Sequence, residues 1–235
     1  PAFADAEIER LRKRWIGNIQ QEKNQPVQLA LITLPPLVYG EDHAYGIPLN
    51  VSGTDESINS LERDDLVNWH QDWIRPSNGT LFVAGDPTMA EILPLLNKKF
   101  GTWRENRKAV PQKNLAEVTL PDNGSVYIID KPGAPQSLIL AAHAAPPTGV
   151  ENTIDVTTMN DVRGGAFTAR VNMNLREDKV WAYGAYTFMP DSRGQRMFAV
   201  YAPVQTDRTQ DSIKELNREN DEYLGTRPAT QDELS

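Results

Sequence analysis

Apolar side chains near the start of the chain recur every three or four residues, at Ile8, Leu11, Trp15 and Ile19. This spacing brings them to one side of a helix, so we predict a helix over Asp5–Glu22 with that side buried. The same spacing, together with caps and prolines, predicts three more helices in the first hundred residues. They are 27–34, ended by Pro35 and Pro36; 61–73, capped by Ser60 with Leu66, Trp69 and Trp73 inward; and 88–99, which contains Pro94 and opens with a Thr88–Glu91 capping box.

Short runs of apolar and β-branched residues predict strands along the rest of the chain. They are 80–84, expected to be buried, 125–129, Gln136–Ala145, and a hairpin that pairs 181–188 with 197–203 across the Asp-Ser-Arg-Gly turn at 191–194. Helices are predicted at 152–160, 166–176 and 207–224. Strand pairs with hairpin-length connections favour an α+β fold, built from layered αβ domains with a largely antiparallel sheet, over a doubly wound one.

The segment 104–124 carries charge and the prolines Pro111 and Pro121, and it has no regular apolar spacing. We therefore predict a linker there, between a first domain at 1–103 and a second at 125–235. Thr230 and Glu233 have the spacing of a helix cap close to the last residue. The chain also begins with Pro1 and not with methionine, so both ends suggest a piece of a longer protein.

Composition narrows the class of protein without identifying a reaction. The chain has 235 residues, 39% of them hydrophobic, which is enough to bury the core of one or two domains. Its formal net charge of -8 argues against a general nucleic-acid surface. The absence of cysteine excludes disulfides, thiolate zinc sites and a cysteine nucleophile. No apolar run is long enough to span a bilayer.

Candidate chemistry lies in the stretch Asn-Leu-Arg-Glu-Asp-Lys-Val-Trp-Ala-Tyr-Gly at 174–184. Arg176 and Tyr183 stand seven residues apart, across the predicted passage from a helix into a strand. Both side chains could face one cavity and offer a guanidinium and a phenol to a polarised carbonyl. The sequence therefore suggests a substrate clamp that needs no metal of its own.

Several ordered motifs carry a wider resemblance. They are His-Ala-Tyr-Gly-Ile-Pro at 43–48, the segment 73–86, Lys-Phe-Gly-Thr-Trp at 99–103, the segment 129–137, Gly-Gly-Ala-Phe through Tyr-Gly at 164–184, and the segment 223–234. Together they resemble the insulinase or pitrilysin family of zinc metallopeptidases. The resemblance is to the half of those enzymes that carries no metal, in a long bacterial member.

The resemblance implies a fold like that of the mitochondrial processing peptidase, with four similar αβ domains enclosing a substrate chamber. This chain would hold the closing part of one domain and the opening part of the next. It implies a non-catalytic half of a zinc metalloendopeptidase, in which Arg176 and Tyr183 bind peptide and stabilise the oxyanion. The zinc would belong to a catalytic sister half, on the same longer chain or a separate subunit, and this chain alone would be inactive.

Metal ligands are not expected in this chain. Its three histidines, His43, His70 and His143, are too far apart for the family's inverted His-x-x-Glu-His motif. Aligned with the family, Leu11 and Asn18 stand at the two positions where catalytic halves have glutamates. We therefore predict no cofactor bound by this chain.

Two alternatives to the clamp stay open. The first is a catalytically silent structural or assembly module of the same fold, in which Arg176 is an ion-pair partner. The second, an autonomous metalloenzyme using the three histidines, has no spacing in its favour. A periplasmic or envelope location is suggested by the resemblance only.

The remaining conspicuous residues have structural explanations. His43 is expected to bond backbone groups in a loop, His70 to lie at the surface or at its boundary, and His143 to be partly buried in its strand. The pair Gly164 and Gly165 lacks the further glycine and lysine of a phosphate loop, so we interpret it as a packing and turn feature. Trp181 is predicted to be in the core or in the chamber wall.

Overall fold

The computed structural model describes residues 1–105 and 108–234. Its internal contacts divide the chain into two compact units, one of Pro1–Asn18 with Thr54–Lys113 and one of Ile19–Gly53 with 114–234. The proposed division at 103 and 125 stays a prediction. Residues 106 and 107 of the predicted linker, and Ser235, lie outside the described residues.

Eight α-helices occur in the described residues, and we number them in chain order. They are α1 Asp5–Glu22, α2 Pro26–Tyr39, α3 Asp55–Ser60, α4 Arg63–Trp73, α5 Met89–Phe100, α6 Thr153–Asn160, α7 Arg170–Asn172 and α8 Thr209–Leu224. Wider, π-helical turns follow α6 at Asp161–Gly165 and α7 at Met173–Asp178. No helix in the part of the chain described here has the length and apolar character that crossing a bilayer requires.

The second unit is built on a three-stranded antiparallel sheet, as the sequence predicts. Strands β1 (Gln136–Ala145), β2 (Tyr186–Phe188) and β3 (Arg196–Gln205) lie in the order β1-β3-β2. β1 and β3 pair along their full length, from Gln136 opposite Gln205 to Ala145 opposite Arg196. The fold is therefore a mixture of helices and a small antiparallel sheet.

Helices cover both faces of this sheet, because alternate side chains of β3 point to opposite sides. On one face a core forms from α7, the turn after it and the sheet, with Leu216 of α8 packed against it. Its buried members are Val171, Leu175, Ala182, Ala185, Ala202 and Val204. On the other face, Met197 and Ala199 pack against Tyr39 at the end of α2.

Helix α2 does not end before Pro35 and Pro36, so the predicted end at residue 34 is wrong. A proline within a helix lacks an N–H donor for the carbonyl four residues earlier. The amide of Leu49 donates instead to the carbonyl of Leu31 at 3.0 Å, which satisfies that group from outside the helix. The helix ends at Gly40, whose φ of 85° lies in the left-handed region.

The predicted helix at 61–73 is also corrected. Ser60 is not its cap but the last residue of α3, and Glu62 caps α4 in a box with Asp65. Trp69 is 58% exposed instead of buried, and on α1 only Ile19 of the predicted apolar side is buried. Apolar spacing locates the stripe along a helix, but the stripe is buried only where other residues cover it.

Two predicted strands, 80–84 and 125–129, do not form. In the part of the chain that the structure describes, neither segment pairs with another strand. Ile128 is 89% exposed, and the apolar side chains Phe82 and Val126 are exposed as well. A strand exists through its ladder to a neighbour, so β-prone residues alone leave these segments extended and unpaired.

A candidate substrate-binding site around Arg176

Arg176 lies in the π-helical turn that follows α7, and its guanidinium is flanked by two aromatic rings. Its Cζ atom is 4.5 Å from the centre of the Phe167 ring and 5.7 Å from that of Tyr183. The helix predicted from residue 166 begins only at Arg170, so Phe167 belongs to the loop before it. The structure thus places the two candidate residues side by side and adds Phe167.

The two candidate side chains differ in their exposure to solvent. Tyr183 is 86% exposed, whereas the side chain of Arg176 is 28% exposed. The Nη1 atom of Arg176 is buried without a hydrogen bond in the described structure, and it lies 3.5 Å from Oε1 of Glu177. Cation–π contacts orient a guanidinium without using its N–H groups, and because Nη1 is enclosed, a ligand would bind through the other N–H groups of Arg176.

Asn172 joins the two segments that carry these rings, and sequence reasoning missed it. Its side chain is completely buried; Nδ2 donates to the carbonyl of Phe167 at 2.6 Å, and Oδ1 accepts from the amide of Ala185 at 3.1 Å. One side chain therefore joins the backbone of Phe167 to that of Ala185, two residues after Tyr183. Asn172 could have been noticed as a polar residue next to Val171 in a segment predicted to pack into the core, because buried polar side chains are usually hydrogen-bonded.

The turn that carries Arg176 is also fastened to α8. Nδ2 of Asn174 donates to Glu215 at 2.9 Å and to Glu219 at 2.7 Å, and Arg227 donates to Glu219 at 2.8 Å. Burial raises the pKa of Glu215, but the hydrogen bond from Asn174 and the neighbouring Arg218 outweigh it and lower the pKa. This carboxylate consequently stays charged and keeps the turn in place.

The glycine pair is a packing feature, as predicted. A Cβ atom on Gly164 would lie 2.6 Å from Oγ1 of Thr187, and one on Gly165 would lie 2.5 Å from Nδ2 of Asn160. Any side chain at either position would therefore collide with its neighbours. Close packing explains both residues without a phosphate ligand, because Gly164 lies against β2 and Gly165 against the end of α6.

The histidines do not form a common site. His43 is buried, accepts a hydrogen bond from the amide of Tyr45 at 3.0 Å and stacks on Tyr39, in agreement with its predicted loop role. His70 lies in the other unit, against the edge of the Phe3 ring. His143 is exposed on β1, so its predicted partial burial is wrong; β1 is an edge strand and leaves this position open.

Trp181 packs against the core of α7 and the sheet, as predicted. Lys179 and Arg208 lie over its ring, at 5.6 and 5.8 Å from the ring centre. Among the described residues, no three histidine, aspartate or glutamate side chains are arranged so that they could hold a metal ion. The residues present here therefore do not fit a zinc centre.

Comparison with known proteins gives one family. The sequence model of one protein family, described as the peptidase M16 inactive domain, matches residues 60–235. The zinc protease YmxG of Bacillus subtilis is 23% identical over 208 residues, which cover 88% of this chain and 48% of that protein. This chain thus spans about half the length of the curated relatives it matches.

Solved structures agree on the fold. A protease from Helicobacter pylori has a TM-score of 0.88 at 18% identity, over 98% of this chain and 55% of that one. A peptidase M16 inactive domain from Pseudomonas fluorescens has a TM-score of 0.81 at 19% identity, over 100% of this chain and 55% of that one. At these identities the likeness concerns the fold alone.

Proposed function

Because this chain belongs to the peptidase M16 family, the insulinase-type zinc metallopeptidases, and matches its inactive domain, we propose a divided active site. The chain is the non-catalytic half of a zinc metalloendopeptidase. It closes the substrate chamber, and Arg176 and Tyr183 bind the peptide and stabilise the oxyanion. The catalytic sister half holds the zinc, which supplies the activated water.

One observation carries this proposal: the guanidinium of Arg176, on a partly exposed side chain, lies 5.7 Å from the ring of an exposed tyrosine. Negative charge develops on the carbonyl oxygen of a peptide as it is attacked, and fixed N–H and O–H donors stabilise that charge. Phe167 contacts the guanidinium of Arg176, and Asn172 fixes the backbone of Phe167 and of Ala185, which supports an ordered site before a substrate arrives. This preorganisation is what an oxyanion site requires.

A site divided between two halves accounts for the zinc ligands that are not expected in this chain. Leu11 and Asn18 are not metal ligands, although the family resemblance places glutamates of the catalytic half there. A chain with half the length of its relatives leaves room for a second, metal-bearing half. The partners that follow from this are the sister half and a peptide substrate.

The alternative is a catalytically silent assembly module, and a different contact favours it. Nη1 of Arg176 lies 3.5 Å from Oε1 of Glu177, so the arginine has an ion-pair partner within its own turn. In that case Arg176 stabilises the turn and needs no substrate. The two functions differ in what happens to turnover when the guanidinium is removed.

The test is peptide hydrolysis by the complete protein with Arg176→Ala and Tyr183→Phe. For the arginine variant we expect kcat/KM to fall by about a hundredfold to a thousandfold, with unchanged zinc content. Arg208→Ala is the matched control, because Arg208 also lies over an aromatic ring but outside the site. Unchanged kcat/KM in both site variants would falsify the clamp and favour the assembly module.

A further inference from the structure

Arg163 lies in the π-helical turn after α6, and its guanidinium covers the ring of Phe198 on β3. The distance from Cζ to the ring centre is 4.8 Å. The ring of His143, exposed on the neighbouring strand, lies 5.4 Å from the same phenylalanine. Arg163 is half-buried, so part of the residue remains accessible to solvent.

The guanidinium of Arg163 has no counter-charge in the described part of the chain, where this side chain takes part in no hydrogen bond and no ion pair. Burial lowers its pKa, and only the phenol of Tyr223 acts in the opposite direction. Burying an uncompensated cation is costly. The chain has 32 acidic and 24 basic residues, so the missing partner does not reflect a shortage of carboxylates.

A second unsatisfied guanidinium belongs to the same side of the sheet. Arg196 precedes Phe198 by two positions on β3, so the two side chains share a face. Arg196 is only 1% exposed; its Nε donates to the carbonyl of Pro146 at 2.8 Å, and its Nη2 has no partner among the described residues. Neither of these two guanidinium groups is paired with a carboxylate among the described residues, which creates a local demand for an anion.

We propose that Arg163 is a binding site for a carboxylate of a peptide or protein ligand. A guanidinium stacked on a ring presents its N–H edge to a planar carboxylate, which it binds through two parallel hydrogen bonds. Arg196 adds positive charge beneath the site. A net charge of -8 disfavours a polyanion, so a single carboxylate on a peptide fits better than nucleic acid. This site does not depend on Arg176.

The carboxylate could be the C-terminus of a peptide or an acidic side chain within it. Three acetylated peptides of one length distinguish these sources: one with a free C-terminus, one amidated, and one amidated with a single internal glutamate. Calorimetric titration of this chain with each peptide gives the Kd. We expect binding of at least one carboxylate-bearing peptide to be ten or more times tighter than that of the neutral amide.

Variants of Arg163 complete the test. Arg163→Met should abolish the preference for the carboxylate, and Arg163→Lys should retain part of it because lysine keeps the charge without the paired donors. Arg208→Met should leave the preference unchanged. A thermal melt of Arg163→Met verifies folding, and we expect its Tm to be no lower than that of the parent. Equal Kd values for the charged and neutral peptides, or a preference that survives Arg163→Met, would overturn the proposal.

Discussion

Arg170 and Arg163 show how similar contacts give opposite electrostatic outcomes. Each covers an aromatic ring, at 5.1 Å from Tyr223 for Arg170 and 4.8 Å from Phe198 for Arg163. Arg170 has a carboxylate: Glu233 accepts from its Nε at 2.6 Å and from its Nη2 at 2.7 Å. That hydrogen bonding raises the pKa of Arg170, whereas burial lowers the pKa of Arg163.

The difference separates two uses of a buried arginine. Arg170 also donates to the carbonyls of Arg227 and Pro228, so it fastens the last described residues to α7. A guanidinium with all its partners inside the chain is structural. One that is desolvated without partners stays available to a ligand, and this is the basis of the site proposed at Arg163.

The largest change in stability should follow from replacing Arg170, the arginine that has a carboxylate partner. Arg170→Met leaves Glu233 and the carbonyls of Arg227 and Pro228 without their donor, so we expect a loss of about 3 kcal/mol in the free energy of unfolding. Urea denaturation followed by circular dichroism measures it. A loss below about 1 kcal/mol would show that the hydrogen bonds at Arg170 do not hold this region.

Glu233, the carboxylate partner of Arg170, should make a smaller contribution to stability, and this contribution depends on pH. The hydrogen bond from Arg170 lowers the pKa of Glu233 to about 2, from an ordinary value of 4.5. A lowered pKa in the folded state contributes stability above pH 4.5, and this contribution is lost as the pH falls toward 2. Because Glu233 is exposed, screening reduces the contribution to about 1 kcal/mol.

Glu233→Gln tests this pH dependence. At pH 7 the variant should be less stable than the parent by about that amount, and the difference should vanish near pH 2. Urea denaturation at several pH values gives the comparison. A difference that stays constant from pH 7 to pH 2 would mean that the carboxylate charge has no role in the pair.

Replacing Arg163, the arginine without a carboxylate partner, should change the stability in the opposite direction. Arg163→Met removes a desolvated charge and keeps an apolar side chain over Phe198, so we expect a gain of up to about 1 kcal/mol at pH 7. The measurement is again the midpoint of urea unfolding. A destabilisation comparable to that of Arg170→Met would reveal a hidden partner and remove the contrast between the two arginines.

The smallest effect belongs to an exposed arginine over a ring. Arg208 lies over Trp181 and pairs loosely with Asp207 and Asp211, at 3.7 and 3.9 Å. Exposed pairs contribute little, so Arg208→Met should change stability by less than about 0.5 kcal/mol. A larger loss would show that the ring contact by itself is stabilising, which would weaken the role assigned here to counter-charge.

The strands show how far the sequence predicts the fold. The segments 125–129 and Gln136–Ala145 are both apolar and β-prone, yet only the second forms a strand. The difference lies in the partner, because β1 finds all ten positions of β3 in register. The local residue pattern indicates a preference for extended backbone. Whether such a segment forms a strand depends on its pairing with a segment distant in the chain.

The candidate site divides in a similar way. Arg176 and Tyr183 could be selected from their chemistry and spacing, because guanidinium and phenol groups are few and their roles are recognisable. Phe167 and Asn172 could not, since their importance depends on which loops meet. The sequence also does not show that Arg163 lacks a carboxylate partner, because it contains many carboxylates and gives no information on which of them lie near this arginine.

The sequence by itself determined the family, most helices, the antiparallel hairpin and the two candidate donors, because these follow from local periodicity and from ordered motifs. Tertiary structure alone decided that α2 continues through its prolines, that two apolar segments stay unpaired, and which of the buried arginines has a carboxylate. The physical reason is that hydrogen-bond partners and counter-charges come from residues remote in the chain. Only the folded arrangement brings them within the few ångströms over which these interactions act.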